Sequence, residues 1–261
     1  MKKKAIINSL LLSSLIIGST QVLAAPGDVE TKERKTEGVI TFEPNDEPIG
    51  PTDPINPGEP GQPIDPEDPE KPVEPGTPGP LSLDFASSFN FGKQKITSEN
   101  KVYMAKPQAF KVEDGSIEER PLYAQVTDGR GELKGWSLSL KQNGQFKGKI
   151  NKKELNGAEI KFVNGQTSTE MESGSPSTVS KNVELVATGS AASLLMEAKA
   201  GEAAGTHIYH LGDLKTMSES VQLHVPGKAT KLKDTYETTL TWQLSTLPAN
   251  GEGPSEPGIE E

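Results

Sequence analysis

Two short stretches decide the fold class, "GWSLSL" at residues 135–140 and "YETTLTWQLSTLP" at residues 236–248. Each holds one of the chain's two tryptophans, Trp136 or Trp242, and each has a leucine two residues after the tryptophan. Larger or apolar side chains alternate with polar ones in both stretches, which is the period of a β-strand with one buried face. Both tryptophans are therefore predicted to lie on apolar strand faces.

Turn signals extend this pattern along the chain, with Asn-Gly at 143–144, 156–157 and 164–165 and Asp-Gly at 114–115 and 128–129. Such pairs supply the positive φ angles that tight hairpin turns need. We predict strands at residues 102–104, 121–127, 136–141, 145–150, 159–163, 183–187, 194–200, 206–210, 221–225 and 236–245. Many short strands with few helical segments predict an all-β domain, an antiparallel β-sandwich of the Ig-like or Greek-key type.

The segment "SLLMEAKAGEAAG" at residues 193–205 is ambiguous. Its alanines and glutamates suit a helix, whereas the alternation of Leu194, Met196, Ala198 and Ala200 suits a strand. We interpret it as a strand.

The first 24 residues have the composition of a secretory signal peptide. Lys2, Lys3 and Lys4 precede an apolar run, and small residues follow it, with cleavage expected after Ala24 or Ala25. No later stretch of the sequence is apolar over the roughly 20 residues that a membrane span requires. We expect an exported protein without a transmembrane segment in the mature chain. Because the chain has no cysteine, its fold must rest on its core without disulfides.

Residues 25–80 are predicted to form an acidic, proline-rich linker. They carry 4 basic and 14 acidic side chains, whereas residues 81–250 carry 20 basic and 19 acidic ones. From Pro48 to Pro78 every third residue is proline, which matches the polyproline II period of three residues per turn and favours a disordered or semi-rigid spacer. A ligand for a proline-recognising domain is the alternative. We assign residues 81–250 to one β domain and residues 251–261 to an acidic flexible tail.

Residues suited to catalysis are sparse. His207 and His210 would face opposite sides of a strand, which disfavours a shared metal ion, and His224 stands apart. The acidic pairs at 118–119 and at 170 with 172 have no histidine or nucleophile motif beside them. We expect no enzyme activity, no cofactor, no metal and no nucleic-acid partner.

The stretch "LPANG" at residues 247–251 is a candidate sorting motif. It is similar to the LPxTG signal that links surface proteins of Gram-positive bacteria covalently to peptidoglycan. That signal requires a following hydrophobic tail and basic residues, whereas this sequence continues with the polar, acidic "EGPSEPGIEE". Attachment to the cell is therefore expected to be non-covalent.

Taken together, "GWSLSL", "YETTLTWQLSTLP" and the segment "LSLDFASSFNFG" at residues 81–92 resemble the WxL domain family of Gram-positive cell-wall-associated surface proteins. The order of parts also resembles that family, with a signal peptide, a proline-rich linker and a domain near the C-terminus. The resemblance implies a secreted, wall-associated protein that binds peptidoglycan non-covalently. It also implies a multi-protein surface complex, with other WxL proteins and membrane-anchored partners.

The resemblance marks Trp136, Leu138, Trp242 and Leu244 as a motif that either binds the wall or builds the core. Strand packing among apolar neighbours is the simpler explanation, although a tryptophan ring can also receive a sugar. The glycine-rich "DGRGELKGW" before the first motif favours a ligand edge there. The 20 basic side chains of residues 81–250 suit an anionic wall polymer. An adhesin component that binds host matrix proteins is the alternative function.

Overall fold

The computed structural model describes residues 32–59, 61–64 and 73–246. The predicted signal peptide, the LPANG stretch and the acidic tail lie outside these residues. The chain divides into two units, Met1–Thr41 and Phe42–Glu261. The described residues of the first unit are exposed and form neither helix nor strand. All the strands lie in the second unit. No helix among the described residues is long and apolar enough to cross a bilayer.

Seventeen short strands and one 3₁₀ helix, Met217–Glu219, make up the regular structure of the described residues. The strands are β1 (Gly61–Ile64), β2 (Leu81–Ala86), β3 (Lys101–Met104), β4 (Gln108–Val112), β5 (Ile117–Arg120), β6 (Leu122–Asp128), β7 (Trp136–Gln142), β8 (Lys147–Gly148), β9 (Glu159–Phe162), β10 (Gly165–Ser168), β11 (Thr178–Val179), β12 (Val183–Glu184), β13 (Ser193–Ala198), β14 (Gly205–Leu211), β15 (Val221–Val225), β16 (Tyr236–Glu237) and β17 (Leu240–Ser245). Each predicted strand overlaps an observed one. Residues 193–198 of the ambiguous segment form β13, which confirms the strand interpretation for that part, whereas residues 199–204 form no strand.

These strands form antiparallel sheets, so the prediction of an all-β, antiparallel fold is confirmed. Three sheets have four strands each: sheet I (β10-β14-β6-β2), sheet II (β11-β13-β7-β17) and sheet III (β12-β9-β15-β3). A small sheet has the order β1-β4-β5, and β16 pairs with β8.

One hydrophobic core receives side chains from all three four-stranded sheets. Ala124 comes from sheet I, Leu138 from sheet II and Ile160 from sheet III, and each is at most 1 % exposed. A two-sheet sandwich would draw its core from two facing layers. The observed core is divided among more sheets than the sequence predicted, and the structure supports the all-β class without confirming the sandwich.

Strand β6 is buried along its whole length because both of its faces are covered. Leu122, Ala124 and Val126 face the main core, while Tyr123 packs in a second cluster with Phe110 of the small sheet. Since alternate residues of a strand point to opposite faces, Gln125 and Thr127 share the face of Tyr123.

A strap, formed by residues 45–59 and β1, covers this second face. The Thr52 amide donates to Gln125 Oε1 at 2.8 Å, and Asn45 donates to the carbonyl of Gly129 at 3.1 Å. Asp53 Oδ2 accepts a hydrogen bond from Arg120 Nε at 2.6 Å, and both side chains are almost fully buried. These contacts lie inside the stretch predicted as a spacer, and a continuous solvated spacer does not account for them. Hydrogen bonds, an ion pair and the burial of Pro54 and Pro63 hold this part of the stretch against the domain.

Candidate functional site

The two Trp-x-Leu motifs lie on neighbouring strands of sheet II. Strands β7 and β17 pair antiparallel, with Leu140 opposite Trp242 and Leu138 opposite Leu244. Directly opposed residues of an antiparallel pair point to the same face of the sheet. The repeated spacing therefore places both motifs on one shared face, which packs against the core.

Trp136 has no exposed surface. Its indole nitrogen donates to the carbonyl of Ala203 at 3.1 Å, and its ring lies 5.9 Å from that of His207, centroid to centroid. Gly135 before it has φ +80°, and a Cβ there would come within 2.5 Å of the Ala198 carbonyl oxygen. The placement of the first motif at a ligand edge is therefore wrong: the glycine serves close backbone packing, and the tryptophan is a core residue.

Trp242 has a different environment because β17 is the last strand of sheet II among the described residues. Its side chain is half-buried, as are those of Leu240 and Leu244, whereas the intervening Thr241 and Gln243 are exposed. The Trp242 ring meets that of Phe89 edge to face, with centroids 6.5 Å apart. The second motif thus contacts the segment at residues 87–96, which follows β2.

That segment forms one wall of a cleft with a volume of about 1360 Å³. Four half-buried aromatic rings line the cleft and also pack on the core: Phe89, Phe91, Tyr103 and Tyr236. The Phe91 ring is held against Phe146 at a centroid distance of 6.2 Å. The Tyr236 hydroxyl accepts a hydrogen bond from the Leu232 amide at 2.9 Å. The rings of Phe91 and Tyr236 are therefore held by contacts within the protein.

Four lysines also line the cleft. Lys231 donates to three backbone carbonyls, of which the nearest, that of Pro226, is 2.8 Å away. Lys93, Lys95 and Lys106 are exposed, and no ion pair joins any of them to another residue in the described part of the chain. Among the described residues, these three ammonium groups therefore have no carboxylate partner.

Four acidic residues share the lining, and three of them are engaged elsewhere. The Glu237 carboxylate pairs with Lys149 at 3.1 Å. Asp234 accepts hydrogen bonds from backbone amides, chiefly that of Asn151, which lower its pKa. Burial raises the pKa of Asp84, an effect that hydrogen bonds from its neighbours oppose. Glu74 is exposed. The cleft lining therefore has one unengaged carboxylate and three lysines without an ion pair among the described residues.

Asp84 belongs to a buried polar network under this wall. Its carboxylate accepts hydrogen bonds from Ser82 at 2.5 Å, Thr127 at 2.6 Å and Gln125 at 2.9 Å. Gln125 in turn donates to the carbonyl of Gly50 in the strap at 3.0 Å. The network therefore connects the strap to strand β2, which leads into the aromatic segment of the cleft.

The histidines and acidic pairs considered for catalysis are placed apart. His207 faces the core, whereas His210 lies on the opposite side of β14, and burial lowers the pKa of each imidazole. Glu118 pairs with Arg120, while Glu119, Glu170 and Glu172 are exposed. The described residues contain no group of three or more histidines and carboxylates placed to hold a metal ion.

Sequence reasoning did not identify the cleft. Residues 81–92 were predicted only to carry the family resemblance, and Lys93, Lys95 and Lys106 were not predicted to bind a ligand. The available signal was the aromatic-rich "FASSFNFGKQK" at residues 85–95, in which two lysines follow three phenylalanines. The other walls come from residues far away in sequence, so the cleft itself could not be located in this way.

Comparison with known proteins gives one family. The sequence model described as "WxL domain surface cell wall-binding" matches residues 29–248, which is most of the chain. The match begins before Leu81 and so includes the strap, in agreement with its contacts to β5 and β6. No curated protein and no solved structure matches the chain. The chain belongs to the WxL domain family of surface cell wall-binding proteins.

Proposed function

We propose that this protein is exported and held non-covalently on the peptidoglycan of a Gram-positive cell wall. The family match carries this proposal, because WxL is a surface domain that binds the cell wall. The signal-like residues 1–24 support export.

The proposed domain organisation differs at one boundary from a linker that ends where the domain begins, at residue 81. Residues 1–24 are the signal peptide, residues 81–250 hold most of the wall-binding domain, and residues 251–261 are a tail. Within the proline-rich residues 25–80, the strap acts as part of the domain, because the buried Asp53–Arg120 ion pair joins the strap to strand β5. The other residues between 25 and 80 are proposed to act as the spacer.

Sheets I and II are proposed to pack face to face, as the two layers of a sandwich do. Trp136 of sheet II supports this packing, since its ring lies beside that of His207 of sheet I. In this arrangement Trp136 and Leu138 build the core. Trp242 and Leu244 lie at the rim of the same layer.

Membership of a multi-protein surface complex is the further part of the proposal. Strand β17 supports it, because within the described structure β17 pairs only with β7 and leaves its other edge open. An open strand edge can accept a strand from a partner chain. Other WxL proteins, membrane-anchored partners and host matrix proteins are the candidate partners.

Sedimentation with isolated sacculi tests the wall-binding function. We expect the purified exported chain to pellet with sacculi from which teichoic acid has been removed, and to stay in solution without them. An acid-unfolded sample that is diluted into the same buffer controls for aggregation. A chain that remains in the supernatant with sacculi of its own cell wall type would disprove the wall-binding function.

A further inference from the structure

We propose that the cleft binds a segment of anionic wall glycan, with sugar rings against its aromatic walls and peptide carboxylates against Lys93, Lys95 and Lys106. This inference rests on the proposed wall-binding function and names the surface that performs it. Neither Trp-x-Leu motif lines the cleft.

Size favours a polymer over a small molecule. The cleft volume of about 1360 Å³ is above the range of roughly 300–1000 Å³ that is typical of small-molecule pockets. A groove of this volume suits several linked sugars that pass through it.

The aromatic walls favour sugar rings over a chain of phosphates. Tyr103 and Phe91 have one side packed on the core and the other lining the cleft, so they offer apolar surface that is fixed in place. Such a surface matches the C–H face of a pyranose ring, whereas a polyol phosphate has little apolar surface to cover it. A site that recognised phosphate alone would need only the lysines.

The lysines favour a negative partner. Lys93 and Lys95 project from a segment without helix or strand that borders the aromatic wall, and Lys106 follows β3 on the neighbouring wall. Each is an exposed ammonium group without a carboxylate partner among the described residues, and Glu74 is the one lining carboxylate that remains unengaged. The free carboxylates of wall peptide stems supply the matching charge.

Paired lysine variants test the cleft. The first protein is Lys93→Ala with Lys95→Ala, and the control is Lys181→Ala with Lys215→Ala, which removes two exposed lysines outside the cleft. Because all four side chains are exposed, both variants should unfold at the wild-type urea concentration. On sacculi stripped of teichoic acid, the cleft variant should bind roughly tenfold more weakly and the control within about twofold of wild type.

The aromatic part has its own variant, Tyr103→Leu, which keeps an apolar side chain on β3 and removes the ring. We expect binding to stripped sacculi to weaken by about fivefold while keeping the salt dependence of wild type, because the three lysines are unchanged. Binding equal to wild type in this variant would remove the sugar ring from the proposal.

The outcomes separate the cleft from the function on which it rests. If wild type binds stripped sacculi and both lysine variants bind equally well, the cleft is not the wall site while the wall-binding function stands. If wild type binds only sacculi that retain teichoic acid, a polyol phosphate is the ligand and the glycan assignment is wrong. If wild type binds neither preparation, the proposed function fails first.

Discussion

Replacing Trp136 separates a structural role of the motif from a role in binding. The side chain is fully buried, so Trp136→Ala removes the whole indole from the core and leaves the Ala203 carbonyl without its donor. Removal of a large buried aromatic side chain costs about 3–5 kcal/mol. Against a total stability of about 5–15 kcal/mol, this loss leaves the domain marginal or unfolded. A loss of wall binding in this variant would follow from unfolding alone.

Trp136→Phe is the more informative change. It keeps an aromatic ring in the core but removes the indole N–H, which now donates to Ala203 at 3.1 Å. The unpaired buried carbonyl and the lost ring volume together should reduce the free energy of unfolding by about 2–3 kcal/mol. Urea denaturation, followed by circular dichroism, measures this change. Sacculus sedimentation of the folded variant should match wild type.

Trp242→Phe is the matched control, because Trp242 lies half-buried on an edge strand. We expect this change to reduce stability by about 1 kcal/mol, since a half-buried side chain has less apolar area to lose. The reasoning is refuted by a Trp136→Phe protein with wild-type stability and lost sacculus binding, since a fully buried indole cannot contact the wall.

The remaining predictions concern the buried charges. Asp53→Ala leaves Arg120 buried without its main partner. We therefore expect urea denaturation to show a free energy of unfolding that is lower by about 3–5 kcal/mol. A decrease below about 1 kcal/mol would contradict a tightly held strap. Burial lowers the pKa of His207 and His210 below the usual 6.5, so the unfolded chain binds more protons as pH falls. The histidine contribution to stability is therefore complete above about pH 6.5 and is lost toward lower pH. Burial raises the pKa of Asp84, and this shift changes stability with pH in the opposite direction. The loss of stability caused by the histidines is therefore measured in the Asp84→Asn variant. Equal urea midpoints of this variant at about pH 7.5 and about pH 5.5 would contradict the histidine contribution.

Local alternation predicted the strands well where one face is apolar. Strand β15 is observed at Val221–Val225, as predicted, and its buried and half-buried residues alternate. Strand β7 begins at Trp136, the first residue of its predicted range. In such strands the sequence period and the burial period are the same, so no knowledge of distant partners is needed.

Two of the strands that escaped prediction, β1 and β5, lack the alternation that identifies the others. Strand β1 contains a proline and pairs with β4, about fifty residues away in the sequence, and β5 is mostly exposed and charged. Neither has an apolar period that would reveal it. Strand β5 pairs with its sequence neighbour β4, whereas the pairing of β1 with β4 and the Asp53–Arg120 contact join distant residues and become visible only when the chain is folded.

Candidate site residues divide in the same way. Trp136 could be placed on an apolar face from its neighbours, but its complete burial depends on Ala203 and His207, which lie more than sixty residues away. The cleft depends even more on distant residues, since it brings Phe91, Tyr103 and Tyr236 together from three parts of the chain. Chemistry on one strand can be inferred from spacing, whereas a groove between elements cannot.

The pairing of β7 with β17 explains why two rare tryptophans share one spacing. Opposed residues of the two strands must fill one side of one core, so both strands need bulky side chains at every second position. Trp242 also touches Phe89, which lines the cleft. In the proposed binding mode, the motif would position the wall of the cleft through its packing, and the residues packed against it would contact the glycan.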